Sequence, residues 1–396
     1  MSDETSQFKN SMTADNELTI LLTLKDRPLF TLRWMSYANS SRFPFKVLIA
    51  DGGKDETVPR VLSNKTNFPN LNYEYVRYPY DQTYGEYYSK VADALSRIKT
   101  PFVVMADNDD FFIVEGLRDT IEFLCAHSDY SSCGGQIGDF WVTPSDEDSR
   151  YNRVYGTQIE YKWCSRTSSV IQETATQRIQ SQLFCLLDTY YDVQRTEELK
   201  SRFETVRELN LKDLFLVEYL LSFLTAGTGK IKRIDRLYLV RQCNSPDSSA
   251  VTHEQKYGDV FGRMLVESWS DDLTKCVNVI AAALAKKDGT PIENARDLVK
   301  RCYRPLMAPA IIESLLLEPT VPLLMPIIVR MVRYLIKLGP GSVIRKVFYK
   351  LYCNATWIPG GALNGLGFLT YPSPTYRADF KPIHEFLTRQ SPSSDL

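Results

Sequence analysis

At 396 residues, 44% of them hydrophobic and 24% charged, the chain is long enough for one large core or two ordinary ones. This composition excludes collagenous, coiled-coil and wholly disordered classes. Lys and Arg number 47 against 48 Asp and Glu, a formal net charge of -1, so no global field draws nucleic acid. The eight cysteines form no Cys-x-x-Cys pair, and the three histidines (His127, His253, His384) lie far apart. A zinc site and a histidine-rich centre are thereby excluded, and reduced thiols of a cytoplasmic protein are expected. The first sixteen residues are polar and acidic and read as a disordered leader without an apolar signal region. No apolar run reaches the ~20 residues that span a bilayer.

In chain order, Leu18 to Leu24 is an apolar run ended by Lys25-Asp26-Arg27-Pro28, the pattern of a strand buried on both faces. Helical spacing follows over 29–40. A second buried strand, Phe45 to Ala50, stops at Asp51-Gly52-Gly53, and a third is expected over Asn72 to Arg77. Residues 84–98 read as a helix leading to a fourth strand, Phe102 to Ala106, which ends in Asp107-Asn108-Asp109-Asp110. Buried strands alternating with helices predict an α/β fold with a mostly parallel central sheet, whose ligands bind at the carboxyl ends of the strands. Beyond residue 130, strands are expected over Ser131 to Thr143, Phe184 to Val193 and Ile231 to Arg241, with helices over Thr196 to Leu209 and Leu211 to Thr225. Residues 144–180 carry no clear pattern. The remainder reads as helical over 253–287, 291–318 and 321–352, with a domain boundary near residue 250 and a disordered tail from about residue 389.

Three of the first four strands end in acidic or glycine-rich clusters. Asp107-x-Asp109 presents two carboxylates on one side of an extended segment, where a hard divalent cation, Mg²⁺ or Mn²⁺, bridges carboxylates to a diphosphate. The same residues also suit a solvated acidic turn with Asp110 capping the next helix. Asp51-Gly52-Gly53 suits hydrogen bonding to a base or ribose with close backbone approach, or an ordinary strand-to-helix turn. Arg27 suits a phosphate or a neighbouring carboxylate. There is neither a Gly-x-Gly-x-x-Gly after a strand nor a P-loop lysine motif, which removes support for dinucleotide oxidoreductases and P-loop kinases.

The order "LTILLTLKDR", "FKVLIADGGKDET", "YYSKVADALSRIKTPFVVMADNDDF" and, downstream, "LNLKDLFLVEYLLSFLTAGTGKIKRIDRLYLVRQ" resembles the bacterial family 2-like glycosyltransferases of GT-A fold over roughly residues 17–245. The resemblance implies a GT-A domain over 17–250 followed by a helical region over 251–388. It implies a metal-dependent transferase moving a sugar from a nucleoside-diphosphate sugar, a UDP-sugar favoured, to a hydroxyl of a saccharide or lipid-linked glycan. Asp51 would then recognise the base or ribose, with Asp26 and Arg27 nearby. Asp107 and Asp109 would hold the diphosphate through Mn²⁺ or Mg²⁺ with Asp110 in support, and Lys90 and Arg241 would contact phosphate. Asp213 would be the base that deprotonates the acceptor, giving inversion; the less favoured reading is a plain solvent-facing first-turn helix residue. The chain departs from the family in two places: Lys212-Asp213 stands where a Glu-Asp pair is usual, and "TLKDR" replaces the commoner end of the first strand.

Residues 321–352 carry Arg330, Arg333, Lys337, Arg345, Lys346 and Lys350 among apolar residues and no acidic residue. This pattern suits a helix on an anionic membrane surface, at the inner face of the plasma membrane, and suits equally a basic outer face of helices packed on the domain. Two other functions fit parts of the sequence. One is a non-catalytic saccharide-binding or scaffold module. The other is a sugar nucleotidyltransferase, disfavoured because "TLKDRPLF" lacks the necessary glycines.

Overall fold

The computed structural model describes residues 15–143, 153–163, 168–182, 186–246, 248–317 and 374–389. The basic segment 321–352, most of the expected leader and the expected tail after residue 389 lie outside these residues. Asp15, at the end of that leader, pairs with Arg118 through two bonds of 3.0 Å.

Strands β1 (Leu18–Leu24), β2 (Lys46–Asp51), β3 (Tyr73–Arg77) and β4 (Phe102–Ala106) form a parallel set in the order β3-β2-β1-β4. Every residue of β1 and β4 is buried, which explains why both read as continuous apolar runs. Helices α1 (Pro28–Ser40), α2 (Thr57–Leu62) and α3 (Tyr84–Arg97) supply the crossovers. Helix α3 starts at a capping box in which Thr83 and Glu86 satisfy each other's backbone amides. The register pairs Leu24 with Asp51 and Leu22 with Ala106, so the residues after β1, β2 and β4 emerge at one edge of the sheet.

Beyond β4 the sheet becomes mixed. It continues through β8 (Val193–Arg195), β6 (Tyr130–Thr143), β9 (Lys230–Gln242) and β5 (Phe111–Phe112), with β7 (Gln158–Trp163) paired to β6. β6 and β9 run parallel with register shifts around Gly134 and Gln136. At Gly135 a side chain would collide with Tyr238, so the two strands meet closely there. Helices α4 (Val114–Ala126), α5 (Ala175–Ser181), α6 (Thr196–Leu209) and α7 (Leu214–Thr228) cover the faces. The expected α/β layout is present: a parallel β-α-β half, a mixed extension and helices after it.

Of the strand expected over Phe184 to Val193, the first two residues lie outside the described ones, residues 186–192 are not strand, and the strand found there is Val193–Arg195. Local turns win over the apolar composition here. The Asp188 carboxylate accepts from the Tyr190 amide at 2.9 Å, and Asp192 N–H bonds Thr189 O at 3.1 Å. The helix expected over 253–287 is three: α8 (Ser249–Tyr257), α9 (Val260–Met264) and α10 (Glu267–Asp288). Gly258, at φ 77°, ends the first, and the Asp259 side chain caps the second. Helix α11 (Ile292–Leu317) follows the expected range. None of the described helices is long and apolar enough to cross a membrane.

Cys276, Ile280 and Leu284 of α10 and Val299 and Tyr303 of α11 share one core with Leu21, Val103, Phe203 and Leu220. Helix α10 therefore packs directly on α7 and α5, and α11 on α5. Helix α12 (Pro374–Arg389), not anticipated as a separate element, buries Tyr376, Phe380, Ile383 and Leu387 against Phe111, Phe140 and Val240 of β5, β6 and β9.

Candidate active site

The β1 end leaves the sheet under backbone strain. Asp26 and Arg27 both lie in the left-handed region, at φ 57° and 59°, where non-glycine residues are rare. Asp26 Oδ1 accepts from the Lys54 and Asp55 amides at 2.6 and 3.2 Å, tying this turn to the loop after β2. A side chain at Gly53 would fall on the Asp26 backbone nitrogen, so the glycine is required for that approach. The turn directs Arg27 onto the end of β4: its guanidinium donates to Asp109 Oδ2 at 3.0 Å and to Ser245 Oγ. Its Nε is buried and has no partner.

Asp51 is 2% exposed. Its Oδ2 accepts from Tyr75 at 2.6 Å and Arg77 at 2.7 Å, and its Oδ1 from the Gly53 amide at 2.8 Å. Parallel register places Arg77 opposite Asp51, so the end of β3 was the signal for this missed partner. Lys90 lies beneath the β1 end, 3% exposed, donating to Leu24 O at 2.8 Å and pairing with Asp81. Burial pulls the Lys90 ammonium below its usual range and pushes the Asp81 carboxyl up, each opposed by the other's charge. Lys90 thus braces the strand end.

Asp107, Asp109 and Asp110 each offer a carboxylate oxygen within 4.8 Å of the others. Three hard oxygen donors this close fit a divalent cation such as Mn²⁺ or Mg²⁺. Each has its own protein partner. Asp107 Oδ2 accepts from Tyr191 Oη at 2.6 Å. Asp109 pairs with Arg27. Asp110 accepts from Arg241 Nε and the Gln242 amide, both at 3.1 Å. Arg241 also lies 4.7 Å over the Tyr191 ring.

Burial, reinforced by Asp109, pushes the Asp107 carboxyl up. Burial also drives Asp110 up to about 8; Arg241 opposes the shift, and Asp109 and Asp107 add to it. At Asp109 burial acts the same way, but Arg27, Ser245 and Arg33 outweigh it and hold the carboxyl below its usual range. Beneath the triad, Arg33 is 1% exposed and donates to Asp109 O at 3.0 Å, Val154 O at 2.8 Å and Gln242 Oε1 at 2.7 Å. Arg33, Tyr191 and Ser245 were missed because their roles arise from contacts between segments distant in sequence.

Asp213 is the N-cap of α7, with Oδ1 accepting from the Leu216 amide at 2.9 Å. Its carboxylate also lies 3.4 Å from both His253 Nε2 and Arg263. Burial works against its charge, yet the His253 hydrogen bond, Arg263 and the helix amide hold its carboxyl below the ordinary value. Asp213 lines a cleft with Lys212, His253, Tyr257, Arg263 and Trp269. The helices after residue 249 complete this cleft, which the strand pattern gave no means to foresee. On the same helix, burial and the neighbouring Asp188 push the Glu218 carboxyl up to about 8, with Arg241 opposing. The structure thus gathers Asp26, Arg27, Asp51, Asp107, Asp109, Asp110 and Arg241 at adjoining strand ends, and sets Asp213 in the cleft made by α8 to α10.

No protein-family profile matches the chain, and no curated protein sequence matches it. Solved structures do align along most of its length. S. aureus TarS 1-349 is 14% identical, with 95% of this chain and 93% of that chain covered and a TM-score of 0.48. The same fragment in complex with UDP-GlcNAc is 15% identical, with 93% and 92% covered and a TM-score of 0.47. A mannosyltransferase, PcManGT from Pyrobaculum calidifontis in complex with GDP-Man and Mn²⁺, is 12% identical, with 90% and 86% covered and a TM-score of 0.41.

Proposed function

We propose that the protein is a metal-dependent inverting glycosyltransferase that uses a nucleoside-diphosphate sugar. The observation that carries this reading is the cluster of Asp107, Asp109 and Asp110 after β4, whose oxygens lie within 4.8 Å of one another and which Arg27 and Arg241 meet from β1 and β9. Asp107 and Asp109 would hold a Mn²⁺ or Mg²⁺ ion, with Asp110 in support. Such an ion, when bound, neutralises the charge that develops on a leaving diphosphate.

The remaining roles fall to the chain's own residues. Asp51, fixed by Tyr75 and Arg77, borders the base and ribose, next to Asp26. Arg27 and Arg241 supply cations for the phosphates. Asp213 takes the proton of the acceptor hydroxyl, whose oxygen then bonds to the anomeric carbon as the bond to the diphosphate breaks. The acceptor, a saccharide or a lipid-linked glycan, would approach Asp213, and the basic segment 321–352 would hold the enzyme to the membrane face where that acceptor lies.

The test is nucleoside-diphosphate release from a panel of UDP- and GDP-sugars. Release that requires Mn²⁺ and disappears in Asp109→Ala supports the reading. Nucleotide binding without release, even with saccharide acceptors supplied, favours a non-catalytic saccharide-binding module.

A further inference from the structure

The acidic triad is paired internally, and the pairs are unequal. Asp109 is held by Arg27, which stands on a strained left-handed turn with a buried, unpartnered Nε. Asp110 is held by Arg241, whose side chain is 42% exposed and also donates to Tyr191 Oη at 3.3 Å. A cation entering between Asp107, Asp109 and Asp110 must compete with both guanidiniums for the Asp109 and Asp110 carboxylates. A diphosphate offers those guanidiniums a better anion in bidentate geometry.

We propose that Arg27 and Arg241 form an exchangeable latch on the acidic triad: they occupy Asp109 and Asp110 until a diphosphate draws them off. The divalent cation and the nucleoside diphosphate therefore bind as a coupled pair. The inference rests on the diphosphate reading above. Coupling is reciprocal, so the cation strengthens nucleotide binding by the factor by which the nucleotide strengthens cation binding. The latch also makes the strain at Asp26 and Arg27 intelligible, because the turn directs Arg27 to Asp109 before a diphosphate arrives and leaves it beside the phosphates afterwards.

The experiment measures Mn²⁺ binding to the full chain by electron paramagnetic resonance of free Mn²⁺. It is made without nucleotide and with UDP or GDP, corrected for Mn²⁺–nucleotide binding in solution. Wild type should bind Mn²⁺ weakly alone and about tenfold or more tightly with the cognate nucleotide. Arg27→Gln and Arg241→Gln should each tighten binding of Mn²⁺ alone severalfold and shrink the coupling factor. Lys25→Gln removes the same charge from the same strand end without breaking a triad pair and should leave both quantities near wild type. Coupling below about twofold in wild type overturns the latch without recourse to any variant, as does an equal effect of Lys25→Gln. If neither nucleotide binds in the presence or absence of Mn²⁺, the donor-site reading itself fails, a result distinct from nucleotide binding without coupling.

Discussion

Arg33 shows how one buried side chain can hold a site together. Its three acceptors come from β4's end, β9 and the segment near Val154, and its guanidinium packs over the Phe30 and Phe111 rings. Burial lowers its affinity for the proton to a pKa of about 10, so it remains charged at neutral pH. Arg33→Met would leave Asp109 O, Val154 O and Gln242 Oε1 short of donors, at a cost of about 3 kcal/mol. The urea midpoint should fall accordingly, and Arg33→Lys, with its single point charge, should recover only part of the loss.

Asp213 gives a pH prediction at the same scale. Its folded carboxyl titrates below its ordinary value of 3.8, so its stabilisation is present above that value and is lost as pH falls through the folded pKa. Wild type should therefore exceed Asp213→Asn in urea stability at about pH 6, with the difference shrinking below about pH 4. A difference that grows on acidification would contradict the ion-paired N-cap.

At the scale of elements, α12 is the least anticipated contributor. Phe380 is 5% exposed and stacks on Tyr161 with ring centroids 4.1 Å apart. Phe380→Ala should cost about 3–4 kcal/mol in chemical unfolding, from lost burial and the cavity left behind. Because the same cluster contains Phe111, the residue after Asp110, the variant should also weaken Mn²⁺-dependent nucleotide binding.

The parallel half of the sheet was legible because β1, β2 and β4 are buried on both faces, and an apolar run of strand length between charged or turn-forming residues is the mark of such burial. Their acidic ends marked the site for the same reason, since charge straight after a buried strand emerges at the sheet edge. Legibility stopped where tertiary contacts decide. The turn at Asp188 to Asp192 sits in a stretch with strand-like composition, and Tyr191 reaches Asp107 only because of that turn. The place of Lys90 on its helix suits a phosphate contact, but its partner Asp81 lies in a loop with no sequence signal. Asp213 reads from the sequence as a first-turn residue of a helix starting at Leu211, whereas it is the N-cap of a helix starting at Leu214. Its partners His253 and Arg263 are 40 and 50 residues away and became visible only in three dimensions.

For the whole molecule, the proposed function joins two regions: strand ends that hold paired cations and carboxylates, and a cleft completed by helices that share the main core. Everything proposed for the second depends on the first binding a diphosphate through a metal. The deciding measurement is thermal unfolding of wild type and Asp109→Ala with a panel of nucleoside diphosphates, with and without Mn²⁺. A ligand at a hundred times its dissociation constant stabilises by about 2.7 kcal/mol, a shift well within detection. A Mn²⁺-dependent rise with one nucleotide, absent in Asp109→Ala, is the expected result. No rise with any nucleotide, or an equal rise in Asp109→Ala, would contradict metal-mediated diphosphate binding at this site.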